Sequence, residues 1–485
     1  MLKDQPVHEE SIKTAYFTWW QNVRESYQAR SLRLTKLGLE WVKDLDIKCY
    51  EIKFPDKIIF TPQTYLWLDE FVDCPYYVDK KKIIVTMEKM ALQLMMFAGD
   101  VTKYGLARAM SNKKINQKYC TLIDQAVFVS HRGISHCCVN KNKDTNISPT
   151  DFWNGTTKAI DIETMNAGKN VSGCDYCYLT ESKKMPSERT FANSLYSTNK
   201  SNLPRIIETD FSNFCNLKCV MCDSDRSSEW AKDEGKPVST IAKAKIDDLV
   251  KISGKVEHIV VHGGEPSIIP EYEYYFEQLE KIGRIGEVTL QVITNITNVN
   301  RRFYSLLGKF KNVRLSISID AYDKANDYIR WPSKFSQLEK NLYAISDLKE
   351  NIEVEILNTI NLLSMFNYGE FLHWAKKIEN YYNKSNKVFR LVPMKVQSPK
   401  EYSPFNAPDS LRQKFVNDVK NFVKNNNFTH SSNWKTEMLL ITKQVEQTQY
   451  NQSIVDRFKK KIDFLNSQRK ITEISKFIPN YHNFF

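Results

Sequence analysis

The sequence predicts an α/β fold: a partial barrel of six β/α units, with a mostly helical N-terminal module and a small cysteine-containing α+β segment before it. Three observations predict it. Apolar, strand-like runs sit near 204–211, 256–262, 287–294, 312–319, 352–360 and 387–393, with helical patterns between them, such as Thr240 to Ile252, Glu271 to Ile282, Phe335 to Leu348 and Tyr368 to Tyr381. That alternation is the signature of parallel β/α units. Polar and glycine residues gather at the C-terminal ends of these runs, where a parallel barrel collects its chemistry. Directly after the first run comes Cys215-Asn-Leu-Lys-Cys219-Val-Met-Cys222.

Residues 1–125 read as the helical module. Tyr16, Trp19, Trp20, Val23 and Tyr27 recur at helical spacing, a Thr-Pro start opens a second helix at Pro62, and Met87 to Phe97 is a methionine-rich apolar helix of the kind that fills cores. Cys49, Cys74 and Cys120 are isolated in sequence and read as buried small hydrophobes. In residues 126–200, Val127 to Cys138 reads as strand, Arg-Gly turn and strand. A helical stretch from Pro149 to Ala167 precedes Gly173-Cys174-Asp-Tyr-Cys177. The hairpin's Cys137 and Cys138 and the C-x2-C pair can enclose one metal centre. The rival readings are a zinc site that recruits His136 or His131, and no metal at all. Residues 201–400 form the barrel. Residues 401–485 form a polar helical tail with amphipathic stretches at Ser410 to Asn425 and Ile454 to Ser467, and an aromatic end, Tyr481-His-Asn-Phe-Phe485.

A chain of 485 residues with 42% hydrophobic and 26% charged residues fits a globular protein of several domains. No eighteen-residue apolar stretch exists and the N-terminus lacks an apolar signal core, so the expectation is a cytoplasmic protein without a membrane span. Ten cysteines then point to metal or redox chemistry rather than disulfides. The net charge of +12 allows a nucleic-acid partner, but it is spread in small clusters such as Lys80–Lys82 and Lys459–Lys461, and no RNA-binding signature accompanies it.

Three thiolates spaced C-x3-C-x2-C suit three irons of a [4Fe–4S] cluster and leave the fourth iron open. A structural zinc site wants a fourth ligand nearby, and the next fifteen residues offer none. Gly263-Gly264-Glu265-Pro266 ends the second strand; its glycines let backbone approach a ligand without a Cβ, and its carboxylate can accept from an ammonium. Asn295, Ser318 and Asp320 are polar residues at later strand ends, and Arg330 follows in Tyr328-Ile-Arg330-Trp-Pro332.

In this order the motifs resemble the radical S-adenosylmethionine (SAM) superfamily over roughly residues 203–400. The resemblance implies a partial (β/α)6 barrel. It implies a [4Fe–4S] cluster on Cys215, Cys219 and Cys222, and SAM held by Gly263, Gly264, Glu265, Asn295, Ser318, Asp320 and Arg330, with Glu265 at the SAM ammonium, Asp320 at the ribose and Arg330 at the carboxylate. It implies reductive cleavage of SAM to a 5′-deoxyadenosyl radical that abstracts hydrogen from a peptide, protein or small molecule, fed by a one-electron reductant such as a flavodoxin or ferredoxin. Residues 126–200, with Glu181, Ser187, Arg189 and Asn193 after the C-x2-C pair, resemble a twitch domain, a half-length relative of the SPASM module that holds an auxiliary iron–sulfur cluster. On that reading Cys138, Cys174 and Cys177 are the leading ligands, and Cys137 is a weaker fourth, since adjacent cysteines rarely bind one metal. An RNA-modifying radical SAM enzyme and a non-catalytic iron–sulfur or zinc protein are the alternatives.

Overall fold

The computed structural model describes residues 118–485, apart from 183–186, 197–200, 299, 349–350, 397, 432–433 and 449. The expected N-terminal helical module, with Cys49 and Cys74, lies outside the described residues as far as residue 117. The chain divides into two compact units, one of residues 116–183 with 198–485 and one of residues 1–115 with 184–197. Of the second unit the described part is essentially one helix, Glu188–Leu195, started by a capping box between Ser187 and Thr190.

The larger unit is built on an eight-stranded sheet in the order β2-β1-β3-β4-β5-β6-β7-β8. The strands are β1 (Ala126–Ser130), β2 (Gly133–Ser135), β3 (Ile206–Asp210), β4 (His258–His262), β5 (Thr289–Thr294), β6 (Asn312–Ser318), β7 (Ile352–Ile360) and β8 (Phe389–Lys395). β3 to β8 are the six barrel strands that the apolar runs predict, all parallel. The predicted hairpin is also present, as β1 and β2, but it is not walled off from the barrel. β1 pairs in parallel with β3, Phe128 beside Glu208, so the hairpin is the edge of the same sheet. Its all-apolar face makes this possible: Val127 and Val129 are fully buried and join the same core as Ile207.

Register sorts the side chains into two faces. One row runs Ile207, Ile259, Leu290, Val313, Ile352 across five strands, and every member is buried against the helices. The neighbouring row runs Glu208, Val260, Gln291, Arg314, Glu353, on the opposite face. The connecting helices match the apolar row. In Pro270–Lys281, proline opens the helix, Glu271 and Glu273 sit in the first turn and Lys281 in the last, and Tyr272, Tyr275, Phe276 and Leu279 form the buried stripe.

The tail forms three long helices, Asp409–Asn425, Trp434–Gln447 and Gln452–Gln468, within the same core, and ends in a short one, Tyr481–Phe484. Its aromatic end docks: the rings of Tyr481, Phe484 and Phe485 pack on Phe366. Among the described residues no helix is long and apolar enough to cross a membrane.

Asp327 lies on the helix Asp323–Ile329 and accepts the Phe335 N–H that starts the next helix. Burial pushes its carboxyl up to about 6, against that hydrogen bond. An acid that binds its proton more tightly in the folded state loses stability as pH rises from about 4 through 6. Asp327→Asn keeps the acceptor and drops the titration. Its urea midpoint relative to the parent is expected to be higher at pH 8 than at pH 5; an equal difference at both pH values contradicts the assignment.

Candidate active site at the strand ends

The three-cysteine loop leaves β3 and ends at the helix Ser228–Asp233. Hydroxyl and indole groups from that helix close it. Ser228 Oγ accepts from Cys215 N–H at 3.1 Å and donates to Cys215 O at 3.0 Å. Ser227 Oγ donates to Leu217 O at 2.6 Å, and Trp230 Nε1 donates to Cys219 O at 2.9 Å. Asn213 binds Ser224 O and the Ser239 N–H, so the entry to the loop is tied to its exit. Cys215 is buried; Cys219 and Cys222 are partly so.

Burial pushes all three thiols up, Cys222 to about 12, and neighbouring thiolates add to this at Cys215 and Cys222. At Cys219 burial is opposed first by the Arg330 guanidinium, whose Nη1 lies 4.0 Å from Sγ. Three thiols packed where each resists ionisation want a multivalent cation, which metal binding supplies while it displaces their protons.

The glycine turn is built against this loop. Gly264 N–H donates to Ser212 O at 2.9 Å and Glu265 N–H to Phe214 O at 2.8 Å. Gly263 has φ +118°, and a Cβ there would meet Asp210 Oδ1 at 2.5 Å. A Cβ on Gly264 would lie 2.0 Å from Phe214 O. Glu265 is fully buried and its carboxylate is taken by protein donors: Ser267 N–H and Oγ, Thr294 Oγ1 at 2.6 Å and Asn295 N–H at 2.7 Å. Burial raises its pKa, and these four hydrogen bonds work against that. The carboxylate expected to meet the SAM ammonium therefore pins β4's exit to β5's exit. Asn295 extends the pin, donating to Asn216 Oδ1 of the cysteine loop at 3.0 Å.

Asp320 and Arg330 were each expected on SAM; the structure pairs them with each other. Arg330 Nε and Nη2 reach the two Asp320 oxygens at 2.8 and 3.1 Å, and Thr359 N–H also binds Asp320. One of these contacts, Nη2 to Oδ1, is a hydrogen bond and the other an ion-pair contact; Asp320 is fully buried and Arg330 partly so. Ser318 closes β6, partly buried.

One participant is invisible in the motifs. Arg469 caps the last long tail helix and donates to Lys218 O at 2.8 Å and Tyr328 O at 2.7 Å. Its guanidinium lies over the rings of Tyr328 and Trp331. The cysteine loop is thus clamped from the far end of the chain.

The cysteines before the barrel fall into two environments. Cys137 is raised by burial, then by Cys120, Glu208, Cys177 and Cys174, and Cys120 is buried as expected. Cys177 N–H donates to Cys174 O, and Asn140 Nδ2 lies 3.7 Å from Cys174 Sγ. Cys138, expected as a leading ligand of that centre, has its N–H on Glu208 Oε2 at 3.0 Å and its Sγ near His262. The histidines of the zinc alternative are engaged elsewhere: His136 with Asp161 at 3.1 Å, and His131 with Ser239 Oγ at 2.9 Å.

Residues 209–378 match the family model described as Radical SAM superfamily. The chain thus carries a radical SAM domain, and it is an enzyme of the radical SAM type. A search of curated proteins finds no match. Among solved structures it is similar to Streptococcus suis SuiB bound to precursor peptide SuiA, at 12% identity over 72% of this chain and 70% of that one, with a TM-score of 0.31. SuiB bound to S-adenosylmethionine gives the same values. A structure of TYW1 with a lysine-pyruvate adduct bound shares 18% identity over 44% of this chain and 72% of that one, with a TM-score of 0.28.

Two consequences can be measured. Gly264→Ala forces the Cβ onto Phe214 O, so it is expected to cost about 1–3 kcal/mol in urea unfolding and to lower iron uptake on reconstitution. Arg469→Ala strips two carbonyls of a charged donor and is expected to cost about 2–3 kcal/mol. An unchanged midpoint would show that the tail does not brace the loop.

Proposed function

We propose that Cys215, Cys219 and Cys222 hold a [4Fe–4S] cluster, that the turn at Gly263 and Gly264 receives SAM beside it, and that the enzyme abstracts hydrogen from a peptide, protein or other polar substrate. The observation that carries this reading is the pair of backbone hydrogen bonds that lock the glycine turn onto the entry of the three-cysteine loop. They put a cradle without side chains next to three thiols that need a cation. When bound, cluster and SAM supply one-electron cleavage of the sulfonium to methionine and a 5′-deoxyadenosyl radical.

The chain's own residues do the rest. Gly263 and Gly264 let the turn close onto Asp210 and Phe214 at the entry of the cysteine loop, where a Cβ would not fit. Glu265 holds that turn rigid through its four donors. Arg330, anchored by Asp320, brings positive charge to Cys219. Asn295 and Ser318 remain the polar candidates for SAM hydroxyls at the ends of β5 and β6. The polar face of the sheet carries a connected row, in which Gln291 Nε2 donates to Ser316 Oγ at 2.8 Å and to Glu355 Oε1 at 3.2 Å. Such a face suits a polar substrate rather than a lipid.

An auxiliary iron–sulfur cluster belongs to the same reading. Cys120, Cys174 and Cys177 all lie in the electrostatic neighbourhood of Cys137, which makes these four cysteines candidates for the ligands of that cluster.

Anaerobic reconstitution with iron and sulfide, then SAM and dithionite, tests the proposal. About eight irons per chain are expected from two four-iron clusters, with 5′-deoxyadenosine formed by the parent and abolished in Cys219→Ala. Cys174→Ala should fall to about four irons. A parent that binds no iron through Cys215, Cys219 and Cys222 overturns the reading.

A further inference from the structure

Cys138 sits in a group of its own. Its Sγ, a carboxylate oxygen of Glu208 and a ring nitrogen of His262 all lie within 4.8 Å of one another, and all three residues are partly buried. Among the described residues this is the one group of histidine, cysteine and acidic side chains that meets such a separation. We propose that these three residues bind a single borderline divalent metal ion, zinc by the chemistry of the donors, with a fourth position open on the polar face of the sheet.

The donor set is the first argument. Thiolate, imidazole and carboxylate are the three ligand types that zinc takes, and three protein ligands with one open position is the pattern of a zinc ion that binds a further molecule. Bonds of about 2.0–2.3 Å in a tetrahedron set donor atoms roughly 3.3–3.8 Å apart. Glu208 Oε1 and His262 Nε2 are 3.0 Å apart, so the three atoms need to move by about 1 Å or less to reach that geometry. Charge is the second argument. One thiolate and one carboxylate against a divalent ion leave the site neutral, which suits partly buried groups.

The third argument is rigidity. Glu208 lies in β3, and His262 ends β4, paired with Asp210 two residues further on. The His262 ring stacks on Phe128 of β1, with centroids 5.6 Å apart and planes 10° from parallel. The Cys138 loop is held by its own N–H on Glu208 and by Lys143 Nζ, which donates to Cys138 O at 3.1 Å and Asn140 O at 2.6 Å. Two sheet strands and a pinned loop therefore hold the ligands in place without the ion.

His262 directly precedes Gly263, so the ion would sit beside the turn assigned to SAM, on the face assigned to substrate. Its open position would take a lone-pair donor from that substrate, a carboxylate, thiolate or imidazole. This substrate role rests on the proposed function; the metal site itself does not.

The test uses the full chain, reconstituted anaerobically with iron and sulfide, desalted, and exposed to Zn2+ or Co2+. The parent is expected to retain about one zinc per chain beyond its iron, and with cobalt to show a thiolate-to-metal charge-transfer band. Cys138→Ser should lose the zinc and the band while iron and sulfide per chain stay at the parental value. His262→Gln, which removes a ligand but no thiol, should weaken cobalt binding at least tenfold, and it serves if Cys138→Ser does not fold. A fall of iron and sulfide in Cys138→Ser would show that Cys138 serves a cluster and overturn the proposal. So would zinc kept by both variants, or an iron-loaded parent that binds none. A parent that takes zinc in a Cys138-dependent way but no iron would sink the proposed function and leave this site standing.

Discussion

Everything at the strand ends depends on packing three thiols where none of them ionises readily. Burial is the largest influence on each, and at Cys215 and Cys222 the neighbouring thiolates make it worse. A loop with that burden has to be held by something other than the charges it lacks. Here the holding is done by neutral donors and acceptors: Ser227, Ser228 and Trp230 from the following helix, and two backbone bonds from the glycine turn. The glycines are required because the turn comes so close that a Cβ at Gly264 would fall on a carbonyl oxygen.

The same constraint explains where the charged residues went. Two residues that the family resemblance assigns to SAM, Asp320 and Arg330, form one ion pair, with Asp320 fully buried. The cation stands between that carboxylate and Cys219. The buried Asp320 would be costly without Arg330 beside it. Paired, they bring a fixed positive charge to one thiol at little cost. Arg469 adds a second, and its stacking on Tyr328 and Trp331 lets a guanidinium survive in a mostly apolar setting.

Sequence periodicity carried the barrel because each strand alternates an apolar residue that must face helices with a polar one that must not. That pattern locates β3 to β8 to within a few residues. It also located the β1–β2 hairpin, but not its partner. Pairing between β1 and β3 joins residues 80 apart in sequence, Phe128 with Glu208, and no local pattern reports such a contact. Arg469 was out of reach for the same reason: its partners are the carbonyls of Lys218 and Tyr328, and carbonyls leave no trace in side-chain identity.

The sequence by itself determined the chemistry on offer: three thiols at C-x3-C-x2-C spacing, a Gly-Gly turn after a strand, and four further cysteines ahead of the barrel in C-C and C-x2-C pairs. Residue type and local spacing are enough for that, since a thiol is a thiol wherever it lies. Which group meets which was decided only by the tertiary structure. The turn after β2 brings Cys137 into the electrostatic neighbourhood of Cys120, Cys174 and Cys177, while the Cys138 thiol meets Glu208 and His262. Those partners arrive from distant strands, and only the folded sheet brings them within bonding distance.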